Sequence, residues 1–424
     1  MPSNYSEHER IIARFLSSVP VIKGIVKSTY RYICRIRHRR KYTSRSIFLI
    51  KAIGCNLSHD NFFGYYDKSP ANIDSDHIIY HSSKYPTYKK PGPDIPVEII
   101  LQELSTGKVL LNITSYAYNW QQGCRTQWLD NDLFIFNDFD VMRKKYISRV
   151  WSLSSLAEVK IFDFPVQDSY QADYFLSLNY RRFVTIRPDY GYKNLPRMKK
   201  EELENKDTDG IWKVDYKSGK SKLLINFLSI CSDCHKDIRD SAINKVNHIM
   251  ISPTGGHFIF LHRYYTRKGR FDRLMLADAI TGELRLLADY GMVSHCFWLD
   301  GKTILAYLRG PNKKDAYWLI NTATGNFIPA ANGKLGQYGD GHPHVHGDWF
   351  VTDTYPDKAG MQHLLLANWK TNEVKELGEF FHGLKYSGET RCDLHPRFSP
   401  DGNSVFFDSV LSGKRQLYKM EVLL

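Results

Sequence analysis

Arg391-Cys-Asp-Leu-His395-Pro-Arg397-Phe-Ser-Pro-Asp-Gly402, continued by Ser404-Val-Phe-Phe-Asp408, reads as a strand, a tight turn and a second strand. In the turn, Pro400 presets φ and Gly402 accepts a positive φ, so the chain reverses without strain. Ahead of the turn, where a core strand should be apolar, stand Arg391, Asp393, His395 and Arg397.

Working upstream, comparable strand-turn-strand units recur at His346 (HGDWFVTDTY), Leu299 (LDGKTILAYLR), Ser252 (SPTGGHFIFLHR), Ser177 (SLNYRRFVTIR), Leu129 (LDNDLFIFND) and Ser69 (SPANIDSDHIIYHSS). From Ser399 the separations are 53, 47, 47, 75, 48 and 60 residues. Periods of about 40–50 residues with several strands per unit mark β-propeller blades. A second polar turn follows most units, as in Ser105-Thr-Gly-Lys108 and Thr281-Gly-Glu283, so each blade reads as four strands. The expectation is an all-β, seven-bladed β-propeller, against an all-β sandwich or two smaller propellers. The last blade runs out after its third strand, and an open edge leaves unpaired backbone groups. Ser46–Ile53 is the natural donor of the missing strand. The longest spacing places an insertion at Pro188–Asp209. The domain reading is thus a basic extension over 1–45 and a propeller over 46–424.

Aromatic residues make up 14% and apolar residues 42% of the 424-residue chain, ample for a large core. The net charge is +13, of which +10 lies in residues 1–51, leaving the propeller nearly neutral. That distribution argues against a nucleic-acid surface on the propeller. In the extension, Ile11, Ile12, Phe15, Leu16, Val19, Ile22 and Ile25 fall at roughly helical spacing, interrupted by Pro20. No run reaches the ~20 apolar residues of a membrane span, and no export signal is evident. The extension reads as an interfacial amphipathic anchor on an anionic membrane surface, with a solvated basic arm as the alternative. Seven scattered cysteines fit reduced thiols in a cytoplasmic protein, peripheral on the inner face of the inner membrane. Cys231-Ser-Asp-Cys234-His235 matches a haem-attachment pattern and reads as a chance match or half of a metal clip.

In a propeller the innermost strand of each blade lines the central channel, and equivalent positions form rings. Four residues before each anchor stand Tyr65, Arg125, Asp173, His248, His295, His342 and His395. Histidine supplies only 16 of 424 residues, so four in succession at one position point to a site rather than to a merely hydrated channel. His59, Asp60, Asn247, His344, Asp393 and Arg397 lie close in sequence and extend the set.

Converging imidazoles with carboxylates nearby suit a divalent metal such as Mn²⁺ or Zn²⁺, with His295, His342, His344 and His395 as candidate ligands. Arg125, Arg391 and Arg397 offer planar forks for a carboxylate or sulfate. Tyr65, Tyr66, Trp128 and Trp298 offer stacking faces for sugar rings. An acidic saccharide is the ligand class that uses all of these. The matching reaction is β-elimination, in which His248 removes the proton beside a clamped uronate carboxylate, with Tyr65 as the alternative base. Arg125 completes the candidate catalytic set. His59, Asp60, Asp173, Asn247, Arg391, Asp393 and Arg397 are the candidate saccharide-binding residues. No nucleophile elbow and no Gly-rich phosphate loop is present.

These residues make the chain resemble the oligogalacturonate lyase group of seven-bladed propellers, and its repeats resemble TolB-type blades. The likeness rests on Val293-Ser-His295-Cys-Phe-Trp298, Asn247-His248 and Leu394-His395-Pro396-Arg397-Phe-Ser-Pro-Asp-Gly402. The resemblance implies His295 and His395 as metal ligands and places His248 near the base. The family pattern has a glutamine three residues before the His-Pro pair and a second histidine after it, where this chain has Cys392 and Arg397. His342 or His344 would then complete the metal set. HDNFFGYYDKSP, GDGHPHVHGDWFVTDTYPD and RCDLHPRFSPDG look like a relative of that group met beside bacterial surface-polysaccharide genes. Two further readings therefore accompany the lyase: a membrane-associated surface-polysaccharide assembly protein without lyase activity, and a protein-interaction scaffold.

Overall fold

The Pro400-Asp401-Gly402 turn forms as its residues dictate. Gly402 adopts φ +76° and its N–H donates to the Ser399 carbonyl at 2.9 Å. A Cβ at Gly402 would lie 2.4 Å from the His346 ring, so glycine is required on two counts. The flanking strands pair with Arg397 opposite Phe406 and Phe398 opposite Val405.

The computed structural model describes residues 20–232, 243–266 and 269–422. Within them the turn pattern builds seven antiparallel sheets, six of four strands and one of five. In chain order the innermost strands of blades 1 to 7 are Asp60–Phe62, Gln127–Trp128, Asp168–Tyr170, Ile243–Ile251, Val293–Trp298, His344–His346 and Arg397–Phe398. The protein is therefore a seven-bladed β-propeller. The core lies between neighbouring blades. Phe134 and Phe136 of blade 2 pack with Ile79 and Leu101 of blade 1, and Leu364 and Phe380 of blade 6 with Val405 and Phe407 of blade 7.

Ring closure follows the expected logic with a narrower donor. Ile50–Ile53 pairs with Gln416–Glu421, Ile50 opposite Met420 and Ile53 opposite Leu417. Ile53 is buried and contributes about 2 kcal/mol to sealing the edge. Residues upstream serve another blade: Ser44–Arg45 forms the fifth strand of blade 6 beside Val374–Phe381. Side chains fix that choice. Arg45 Nη2 lies 2.9 Å from Glu379, Tyr42 Oη donates to Glu379 at 2.7 Å, and Ser46 Oγ donates to the Leu377 carbonyl at 2.7 Å. Ile47 and Leu49 are exposed where the chain crosses to blade 7.

Before this lies a helix, Pro20–His38, with proline at its first position, where the missing N–H costs nothing. Cys34 is buried, and Arg35 donates to the Gly383 carbonyl at 3.0 Å while covering the Phe381 ring. Residues 1–19, with Ile11 to Val19 of the amphipathic pattern, lie outside the described residues. So do Cys234 and His235, while Cys231 is buried with Sγ 3.5 Å from Asn244 Oδ1.

The extra length of blade 3 falls between Tyr174–Ser177 and Gly210–Asp215. Asn179 caps a helix, Tyr180–Ile186, by accepting from the Arg181 and Arg182 N–H groups. Arg182 is buried in an ion pair with Asp209 at 2.6 Å, which ties the insertion to its blade. The helix stops before Pro188, whose ring disfavours helical geometry at Arg187. Arg187, Asp189 and Tyr190 follow this stop and reach the channel.

Candidate active site in the channel

The ring residues enter the channel through irregularities in the inner strands. Blade 4 breaks register between Asn247 and Met250, and blade 5 between Val293 and Cys296. Such bulges re-aim side chains, here His248 and His295. His248 and His395 hold φ of +53° and +43°, a left-handed backbone uncommon for histidine. In blade 1 the inner strand is interrupted after Phe62, and Tyr65 and Tyr66 project from the gap. Gly64 makes this possible: at φ +112° its carbonyl accepts from His395 Nδ1 at 2.7 Å, and a Cβ there would sit 2.8 Å from the Gln122 backbone.

Four histidines converge. Ring centroids are 5.3 Å apart for His248 and His295, 4.0 Å for His295 and His342, and 4.3 Å for His342 and His395. Tyr65 completes the circle, stacked on His248 with its Oη 2.5 Å from Nδ1 and edge-on to His395. All five are buried.

Two of the imidazoles are held from behind. Asp353 accepts from His342 Nδ1 and from its backbone N–H, both at 2.8 Å, and from the His395 N–H at 3.0 Å. With both Nδ1 atoms engaged, His342 Nε2 and His395 Nε2 face inward without hydrogen-bond partners among the described residues. One ring nitrogen of each and an Asp393 oxygen lie within 4.8 Å of one another. Orphaned nitrogens with oriented opposite edges are what metal-binding histidines require. Asp393 is also gripped by Arg391 through contacts of 2.6 to 2.9 Å, so a cation would share its carboxylate with a guanidinium. His295 stands beside the trio, its Nδ1 3.2 Å from Asp340.

Burial dominates the electrostatics. It pulls His248 well below the usual imidazole range, helped by His295 and Arg187. His395 is lowered in the same way by burial and His342, and His295 more mildly. His342 goes the other way: burial pulls it down, but Asp353, Asp393 and Asp340 together raise it. Tyr65 is raised well above its ordinary value by burial and then by Tyr190. The free site thus holds a neutral base candidate at His248, while His342 keeps its proton to higher pH than an ordinary imidazole.

His248 and His295 open onto a cavity of about 340 Å³ between blades 4 and 5. Arg187, Arg263 and Arg270 line it together with Asp340 and Tyr355. Arg187 and Tyr190 come from the insertion and Tyr355 from a connection in blade 6. No repeat pattern marks them, which is why the sequence reading passed over them.

Other expected residues are placed elsewhere. Arg125 is buried and committed: it grips Asp67 at 2.8 and 3.0 Å and donates to the Gln167 carbonyl. It is a structural clamp between blades 1 and 2. Arg397 is likewise spent, on Asp408 at 3.1 Å and on the His395 carbonyl at 2.6 Å. Asp173 is exposed in the turn after Asp168–Tyr170, because the inner hairpin of blade 3 turns before Ser177 rather than at it. His344 lies further along the channel against Phe297 and Phe398, and burial lowers it to about 3. Asp60 accepts from the Thr87 N–H at 2.6 Å, and His59 contacts Ser82 at 3.3 Å, both apart from the histidines. Trp128 and Trp298 donate to the Pro70 and Met250 carbonyls and belong to the core. Asn247 is buried beside His248 with both amide atoms unpartnered among the described residues.

Solved structures share this fold. An oligogalacturonate lyase from Vibrio parahaemolyticus is 13% identical, with 91% of this chain and 99% of that chain covered at a TM-score of 0.58. An oligogalacturonate lyase in complex with manganese is 14% identical, covering 90% and 98%, at 0.57. Identities this low speak to fold alone. No family model matches the chain, and no curated protein matches it.

Proposed function

We propose that the channel binds an acidic, uronate-containing oligosaccharide and cleaves it by β-elimination. The observation that carries this reading is the buried circle of His248, His295, His342, His395 and Tyr65, opening onto a cavity lined by three guanidinium groups. A manganese-containing oligogalacturonate lyase of similar fold supports the same substrate class.

The chain's own groups suit each task. The tautomer of His248 that serves as base carries its proton on Nδ1, given to Tyr65 Oη, and leaves the lone pair of Nε2, 3.4 Å from the same oxygen, for the substrate. Nε2 takes the C5 proton of the uronate. The C–H pair becomes the C4–C5 double bond, the C4–O bond breaks, and the departing oxygen takes a proton from water. Because burial keeps His248 neutral, no proton must be shed first. The arginines of the cavity hold carboxylates in register.

His342, His395 and Asp393, with His295 alongside, would hold a divalent ion such as Mn²⁺ or Zn²⁺. When bound, the ion supplies neutralisation of a uronate carboxylate beside the acidic C5 proton. Elemental analysis of purified protein is expected to find about one such ion per chain, absent from His342→Ala/His395→Ala. Acidification should release it, because His342 holds its proton above the usual range and must give it up to ligate. A metal-free protein after reconstitution with Mn²⁺ would remove the ion from the scheme. Incubation with polygalacturonate tests the reaction itself: a rising near-ultraviolet absorbance from the conjugated double bond is expected, and intact polymer at high enzyme would sink the elimination.

A second reading places the protein at an anionic membrane as a surface-polysaccharide assembly factor. It is favoured by the Pro20–His38 helix, which exposes Val26, Tyr32, Ile33 and Ile36 beside basic Arg35, Arg37 and His38. No helix among the described residues is long and apolar enough to cross a membrane, so contact would be interfacial. The chain is expected to co-sediment with vesicles containing phosphatidylglycerol, and Tyr32→Ser/Ile33→Ser/Ile36→Ser to abolish it. Co-sedimentation unchanged in that variant would discard the helix as an anchor.

A further inference from the structure

Lys245 lies on the inner strand of blade 4, opposite Arg263 and three residues before His248. It is 1% exposed, and its Nζ has no hydrogen-bond partner among the described residues. Buried cations are ordinarily paired, so an unpaired one signals a state the free protein does not complete. The charged groups facing it are Arg187 and Asp189 from the insertion, the Arg182–Asp209 pair across the small cavity that Lys245 lines, Arg263 and Asp272 from the next two strands, and His248 on its own.

Each neighbouring arginine keeps at least one terminal nitrogen without a hydrogen-bond partner among the described residues, although Arg263 Nη2 donates to the Val293 carbonyl at 3.4 Å. Arg187 turns Nε to Asp189 at 3.1 Å and lies over the Tyr190 ring, and its terminal nitrogens have no hydrogen-bond partner among the described residues. Arg263 turns Nε to Asp272, and Arg270 Nη2 lies 3.3 Å from the same carboxylate. These three arginines line the 340 Å³ cavity. Lys245 stands outside that lining, opposite Arg263 across the strand pair, and a permanent fourth cation so close to the three would cost free energy in the empty protein. Burial, with Arg187 and Arg263 nearby, accordingly holds Lys245 well below the usual lysine range, as a neutral amine.

We propose that the cavity is an anion subsite completed on binding: a carboxylate or sulfate group of the saccharide docks among Arg187, Arg263 and Arg270, and Lys245 takes up one proton to become the fourth cation. An arriving anion favours the charged amine by the same Coulomb interaction that the arginines oppose. Ligand and proton therefore enter together. The inference rests on the saccharide reading for the ligand's identity, but needs no elimination step.

Calorimetric titration of the full chain with trigalacturonate, and separately with sodium sulfate, tests it at about pH 7.5 in two buffers of different ionisation enthalpy. Uptake of about one proton is expected per anion bound, with affinity falling about tenfold per pH unit. Lys245→Met should lose the uptake and bind about tenfold more weakly. If that variant fails to fold, His248→Asn decides: uptake that persists there belongs to Lys245, and uptake lost there overturns the proposal. Binding without uptake, uptake that survives Lys245→Met and so belongs to His248, or no binding of either anion would each overturn the proposal. Trigalacturonate bound with uptake but never cleaved would uphold the subsite and remove only the elimination. Sulfate bound with uptake and trigalacturonate ignored would uphold it and remove the uronate.

Discussion

His248→Ala is expected to lower turnover of a uronate oligosaccharide by about 10²–10⁴-fold, the usual worth of a positioned general base. His248 is buried and neutral, and its ring is fixed by the 2.5 Å contact with Tyr65 and by the flanking His295. Replacing it removes the proton acceptor and leaves the arginine-lined cavity intact, so KM should change little while kcat falls. Tyr65→Phe should lose less, because it withdraws only the group that steadies the imidazole. Steady-state kinetics, run beside a thermal melt, separates this from misfolding. A His248→Ala enzyme that turned over at the original rate would place the base elsewhere, with Tyr65 next in line.

Arg125→Ala is expected to act on stability instead. The Arg125–Asp67 pair is buried on both sides and spans blades 1 and 2 directly below Tyr65. Truncating one partner strands the other as an uncompensated buried charge, at a cost of about 3–5 kcal/mol. Urea unfolding should show the midpoint falling far more for Arg125→Ala than for His248→Ala. Arg125→Met with Asp67→Leu should recover much of the loss, since an apolar pair strands no charge. A stable Arg125→Ala that merely bound saccharide poorly would return this arginine to the ligand-binding set.

How much of the site was legible in advance follows from what each residue depends on. His248, His295, His342 and His395 stand at one offset from turns that are themselves local features, so counting from the turns found them and their meeting. The same counting failed at Asp173, where the inner hairpin of blade 3 reverses early, and at His344, which lies further along the channel. It passed over Tyr190, Arg187 and Tyr355 because insertions and long connections carry no period. Arg125 and Arg397 stood at plausible positions, but their carboxylate partners lie 58 and 11 residues away in sequence, and pairing fixes what a buried guanidinium can do.

The sequence by itself determined the ring: strand alternation, Pro-Asp-Gly chemistry and repeat length are properties of neighbouring residues, and they required seven blades and a strand from near the N-terminus to close them. Tertiary structure alone decided which polar channel residues remain free to act. Arg125 met its carboxylate across a blade boundary and Arg397 met one on the next strand of its own blade, and both became scaffold. Histidines anchored by Asp353 and Gly64 kept one nitrogen open, and Lys245 was left without a partner. Those outcomes depend on burial and on contacts between distant segments, which exist only once the ring has closed.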